Sequence, residues 1–150
     1  MKFINIENQT EHIFLFEELF EEILKKLQSK LNVKKPFQVD VLLSEENTVR
    51  KLNNKYRGKN KTTDILSFPF ADHDFFNFLD FIPLGQIVFD VNKVIEQSLE
   101  FNHSLKREFS YLFAHGILHL NGFDHLNEKD ENQMNNLCEE IMDELSIFRT

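Results

Sequence analysis

His115-Gly-Ile-Leu-His119-Leu-Asn-Gly122-Phe-Asp-His125, or HGILHLNGFDH at positions 115–125, is the stretch on which the reading of this chain turns. His115 and His119 are four residues apart. On an α-helix they lie one turn from each other and about 40° apart in azimuth, on one face. Asn121 and Gly122 then predict a helix stop, because glycine accepts the left-handed conformation that ends many helices. A chain reversed after Gly122 carries His125 back toward the first two rings. Three imidazoles and one water give the open four-coordinate arrangement of a catalytic zinc site.

Two histidines four apart are common on helices. The longer skeleton H-x-x-x-H-x-x-G-x-x-H is far more specific, since it is the ligand spacing of the metzincin metallohydrolases. Three of the six histidines of the chain fall inside this one window. One position departs from a protease. Metzincins carry Glu after the first histidine, as the base that activates water, and this chain has Gly116. A placed proton acceptor is worth about 10²–10⁴-fold in rate. The skeleton therefore implies metal-assisted hydrolysis and leaves the substrate open.

Outward from this window, 150 residues with 41% apolar content predict a single domain, spanning 1–150, with an ordinary core. Seventeen Phe and no Trp make phenylalanine the main source of core volume. Cys138 is the only cysteine, so no intrachain disulfide forms, which suits a reducing cytoplasm. The N-terminal MKFINIENQT lacks the long apolar core of a signal peptide, and no apolar run approaches the ~18–20 residues that span a bilayer. The expectation is a soluble, cytoplasmic protein.

The formal net charge of −8 argues at first against a nucleic-acid partner. The distribution argues otherwise. RKLNNKYRGKNK at 50–61 holds six of the 17 Lys and Arg and none of the 25 Asp and Glu, which leaves the other residues at −14. Such segregation can make a local footprint for phosphates, through Arg50, Lys55, Arg57, Lys59 and Lys61. The ordinary alternative is a solvated helix end, where Lys and Arg are also favoured.

Periodicity places these motifs on elements. Phe3, Ile4 and Ile6 suggest a first strand, and the i, i+3, i+4 pattern from Phe16 to Leu31 a helix over 12–31. FQVDVLL alternates as a strand after Pro36. Ser44 is the predicted N-cap of a helix that runs to about Tyr56 and ends at Gly58. DILSFPF at 64–70 begins as a strand, with Pro69 marking its end or an exposed edge. The aromatic, acidic 71–83 segment, which contains His73, reads as a hairpin or loop. LGQIVFD at 84–90 is a further strand. Helices follow at about 91–101, 104–121 and 128–146, the last patterned by Met134, Leu137, Cys138, Ile141, Met142 and Leu145 as core. The order β-α-β-α-β-β-α-α-α predicts an α+β fold, with about five helices packed on a small mixed sheet of about four strands.

Three blocks, LNNKYRGKNKTTDILSFPF at 52–70, LGQI at 84–87 and HGILHLNGFDH at 115–125, resemble the YbeY family of bacterial endoribonucleases. The family pattern H-G-x-L-H-L-x-G-[YF]-D-H is met at every specified position, and it accounts for Gly116 as well as the histidines. The resemblance implies a metal-dependent, single-strand-specific endoribonuclease. Such an enzyme acts in ribosomal RNA processing (16S 3′-end maturation) and ribosome quality control, with ribosomal RNA, the ribosome and its associated proteins as partners. It also implies that His115, His119 and His125 bind the metal, usually zinc, with His115 and Arg57 catalytic. Asp124 is a candidate base, and a stronger candidate for orienting a histidine ring. Two positions depart from the family. Thr62 stands where proline is usual, which should loosen the turn, and Gln86 stands where Asp is usual. If that Asp orients a ligand or sets site charge, rate or metal affinity should differ here.

Two alternatives stay open from the residues themselves. A metzincin-type peptidase or amidohydrolase shares the skeleton, but lacks the Glu and leaves the basic run unexplained. A non-catalytic, ribosome-associated RNA-binding module would use the metal as a structural staple. In the nuclease reading, splayed bases of single-stranded RNA would stack on Tyr56 or on the Phe-rich 71–83 segment.

Overall fold

A computed structural model describes residues 2–70, 77–124 and 127–149. The elements run β1 (Ile4–Asn8), α1 (Glu17–Lys30), β2 (Phe37–Ser44), α2 (Glu46–Arg57), β3 (Ile65–Pro69), β4 (Ile82–Asp90), α3 (Val91–Glu100), α4 (Leu105–Leu120) and α5 (Glu128–Glu144). The four strands form one sheet in the order β1-β2-β4-β3. β1, β2 and β4 are parallel, whereas β3 runs antiparallel to β4 and forms an edge. This is the expected α+β arrangement of a mixed sheet with five helices among the described residues.

Alternation along the strands separates two apolar layers. Val41, Leu43, Ile87 and Phe89 join the main core, with Phe20, Ile23 and Leu27 of α1, Phe113 and Ile117 of α4, and Cys138 and Ile141 of α5. Leu42, Leu66 and Val88 face the other way and form a small cluster with Val49 of α2. So α2 covers one face of the sheet and α4 lies under the other. Helix α4 is apolar nearly all round because it is sandwiched between β3, α1, α3 and α5. Phe20 and Phe113 stack with ring centroids 4.0 Å apart, both fully buried. Truncating either ring to Ala should cost about 3–5 kcal/mol.

The β2–β4 register shifts between Gln38 and Val39, where β4 carries Leu84 as an extra residue just before Gly85. Gly85 has φ 140°, and a Cβ there would sit 2.1 Å from the Phe68 carbonyl oxygen. Only glycine lets β3 approach this closely, which fixes the strand carrying Ser67 against β4.

Three sequence expectations are corrected. Ser44 does not cap α2: it is the last residue of β2, its buried hydroxyl donates to the Phe89 carbonyl at 3.0 Å, and Glu45 occupies the cap position. Helix α1 begins at Glu17 instead of residue 12, because Phe14 and Phe16 pack from the preceding loop, with Phe14 edge-on to Phe20 and Phe109. β4 begins at Ile82, two residues early. Of the 71–83 segment, residues 77–81 form turns and bends, while 71–76, including His73, lie outside the described residues. Met134, Cys138 and Met142 are buried core. No described helix is long and apolar enough to cross a membrane.

Candidate metal centre

Helix α4 starts at Ser104, whose hydroxyl accepts from the Arg107 backbone N–H at 3.0 Å. Four side chains at successive i, i+4 steps then touch along one stripe. The Arg107 guanidinium lies 5.1 Å from the Tyr111 ring centroid. Tyr111 stacks on His115 at 6.3 Å and 14°, and His115 meets His119 edge-on at 4.8 Å and 86°.

Helix α4 ends as the sequence predicts. Gly122, at φ 95°, donates to the His119 carbonyl at 3.0 Å, and Phe123 N–H donates to the Leu118 carbonyl at 3.1 Å. These paired bonds are the Schellman closure, reinforced by the Asn121 amide donating to the Ile117 carbonyl at 2.9 Å. The reversed chain places the Phe123 carbonyl 3.1 Å from His119 Nδ1. A carbonyl oxygen only accepts, so Nδ1 carries the proton and the lone pair sits on Nε2. That is the tautomer a metal-binding imidazole needs, held by the kind of backbone bond that usually orients one.

His125, the third proposed ligand, lies outside the described residues. Among the described residues no group of three His, Cys, Asp or Glu could hold a metal ion. The two imidazoles that are described fit a metal in spacing and, for His119, in tautomer. Imidazole donors suit Zn²⁺, Ni²⁺, Co²⁺ or Cu²⁺.

Both histidines are half-buried in a cleft of about 600 Å³. Its opposite wall is the β3 edge with Asp64, Ile65 and Ser67, and Arg57 reaches in from α2. Arg57 Nη2 donates to the Ser67 carbonyl at 3.2 Å, which carries the guanidinium over the strand edge. Asp64 Oδ1 accepts from its neighbour Ile65 N–H at 2.8 Å. Asp124 also lines the cleft, and the Phe123 carbonyl orients the His119 ring. Burial, helped by Cys138 and Glu139, pushes the Tyr111 phenol up to about 12, so it stays neutral.

Gly116 marks where the helix touches the opposite wall. A Cβ there would meet Ile65 Cδ1 and Ile87 Cδ1 at 3.1 Å and Ser67 Oγ at 3.3 Å. The position where a metzincin keeps its Glu is therefore filled by neighbours from β3 and β4.

The basic run is divided. Arg57 lines the cleft; Arg50, Lys55, Lys59 and Lys61 are not among its lining residues. Arg50 donates to Asn47 Oδ1 at 3.2 Å, and Lys55 lies 5.1 Å from the ring centre of Tyr56, which is 59% exposed. At about 100° per residue Arg50 shares the Arg57 face of α2 about two turns back, Lys55 is turned about 160° away, and Lys59 and Lys61 follow the helix end. Gln86 is exposed on the sheet face away from Ile87, beside Asp40 and Phe68. That placement removes direct contact with the histidines as a route for its effect. Thr62 does not simply loosen its turn, because its hydroxyl donates to Asp90 Oδ2 at 2.7 Å. Asp64, Ser67 and Tyr111 were not singled out from the sequence. For Tyr111, the step of four before His115 was the available signal.

The family model described as "Endoribonuclease YbeY" matches residues 3–146. A protein of that name from Mycoplasmopsis pulmonis (strain UAB CTIP) is 48% identical over 149 residues, covering 99% of this chain and all of its own length. Another from Caldicellulosiruptor bescii is 35% identical over 156 residues, covering 97% and 99%. The solution structure of TM1509 from Thermotoga maritima superposes with a TM-score of 0.62 at 28% identity, covering 95% of this chain and 91% of that one. These matches, which run over nearly the whole chain, place it in the YbeY endoribonuclease family.

Proposed function

We propose that the chain is a metal-dependent endoribonuclease of the cytoplasm, one catalytic domain over its whole length. Its substrate is single-stranded RNA in ribosomal RNA processing, including 16S 3′-end maturation, with the ribosome and its associated proteins as partners. The observation that carries this reading is the facing of Arg57 and the His115/His119 pair across one cleft. His115, His119 and His125 hold the cation, with Zn²⁺ the preferred ion. Bound there, it supplies Lewis-acid polarisation of a phosphate oxygen.

The protein's own groups divide the remaining work. The Phe123 carbonyl fixes the His119 ring, and Asp124 is assigned to orienting a neighbouring imidazole. Arg57 meets the scissile phosphate and stabilises charge that develops on its oxygens, a role suited to the planar guanidinium fork. Arg50, Lys55, Lys59 and Lys61 act outside the cleft as weaker phosphate contacts. Tyr56 and Phe68, with rings 5.2 Å apart, offer a base a stacking surface on the α2 side. The packing at Gly116 disfavours a peptidase, because a side chain there would crowd the ends of Ile65, Ile87 and Ser67.

The test is direct. Zinc-loaded protein is incubated with structured RNA and with casein, beside His115→Ala. RNA cleavage that is lost in the variant supports the nuclease. Casein cleavage, or RNA binding without any cleavage, overturns it. Product ends identify the nucleophile: 2′,3′-cyclic phosphates mark the internal hydroxyl, and 5′-phosphates mark water.

A further inference from the structure

The α4 stripe does not end at the metal centre. Past Tyr111 it enters a second cavity of about 220 Å³, lined by Phe101, His103, Arg107, Glu108, Tyr111 and Arg149. Tyr111 lines both this cavity and the metal cleft, so the two are neighbours across one ring. Arg107 is 3% exposed, and its Nε has no hydrogen-bond partner. A buried donor left unpaired is costly, and in native structures such a group usually has a reason. Arg107 Nη2 and Arg149 Nη2 both donate to a single oxygen, Glu139 Oε1, at 2.7 and 3.1 Å. Arg107 Nη1 donates to the Ile147 carbonyl at 3.2 Å, so Nε is the nitrogen of this guanidinium left unmatched. The carboxylate that lines the cavity, Glu108, lies 3.5 Å from His103 Nδ1. Phe101 is 53% exposed at the rim.

We propose that this cavity is a second nucleotide subsite: RNA held in the metal cleft continues over Tyr111, stacks a base on Phe101 and sets a phosphate against Arg107 and Arg149. The inference rests on the nuclease reading above. An aromatic platform beside guanidiniums is the combination that holds single strands with little regard to sequence, by stacking and by forked contacts to phosphate. Because the subsite adjoins the cleft, it governs the length of RNA the enzyme prefers.

The test uses zinc-loaded protein and 2′-O-methyl single-stranded oligonucleotides of about four and about ten residues, confirmed intact after each measurement. The readout is the ratio of the two affinities, for the unaltered protein and for Phe101→Ala/Arg149→Glu. Both side chains are exposed, so the variant should fold; a thermal melt checks this. The expected result is a ratio reduced by about fivefold or more, the loss of one stacked base. An unchanged ratio overturns the subsite while leaving the nuclease reading in place. Failure of the unaltered protein to bind either length overturns both.

Discussion

Replacing Gly116 by Glu would restore the residue that the metzincin skeleton lacks, and the structure gives the cost. The added Cβ alone would sit 3.1 Å from Ile65 Cδ1 and from Ile87 Cδ1, inside the 3.5–4.0 Å optimum for carbon pairs. Ile87 is fully buried and cannot yield; Ile65 is half-buried and can. Overpacking of this kind costs about 1–3 kcal/mol, and leaving glycine in a helix returns about 0.5 kcal/mol. A net loss of about 0.5–2.5 kcal/mol follows, or roughly 1–10 °C in melting temperature for a chain of this size. Gly116→Ala keeps the Cβ contacts without the carboxylate and gains up to about 1 kcal/mol in helix propensity, so it should fall near neutrality. Urea unfolding of the two variants and the parent, with metal content fixed, measures both. Casein cleavage should stay absent in Gly116→Glu. Stability within about 0.5 kcal/mol of the parent would refute the claim that β3 and β4 fill this position.

Three further outcomes follow from the same geometry. Gly122→Ala meets no steric neighbour but keeps a φ of 95°, so it should lose about 1–2 kcal/mol through backbone strain, with weaker zinc binding read by competition with a chromophoric chelator. Arg57→Ala should retain its fold, because Arg57 is exposed, yet lose about 10²–10³-fold in RNA kcat, the scale of one preorganised charge-stabilising donor. Burial works to raise the Glu139 carboxyl, but the Arg107 and Arg149 hydrogen bonds outweigh it and hold it below the ordinary glutamate value. Its stabilising contribution is therefore full above the unfolded pKa near 4.5 and lost as pH falls through the lower folded value. Melts across pH 3–6 should show a smaller acid-side loss in Glu139→Gln than in the parent.

What could be read from the sequence was what local chemistry dictates. The end of α4 was legible because Asn121 and Gly122, two and three residues after the second histidine of the pair, define a helix stop by themselves. The alternation of FQVDVLL and of LGQIVFD likewise located β2 and most of β4. Ser44 misled because a strand-terminal serine and a helix cap look alike until the partner of its hydroxyl, here the Phe89 carbonyl, is known. Phe16 fits a helical stripe by spacing but reaches the core from a loop. The far wall of the cleft was not legible at all. Asp64 and Ser67 meet α4 only through sheet register, and the charge of 50–61 does not say which one of its side chains turns toward the histidines.

The most direct measurement is the metal content and metal-edge X-ray absorption of protein purified without a histidine tag, for the parent and for His115→Ala, His119→Ala and His125→Ala. One equivalent of zinc with three imidazole nitrogens, lost in each variant together with RNA cleavage, is the expected result. Full metal content and cleavage in any of the three variants would contradict a shared three-histidine centre.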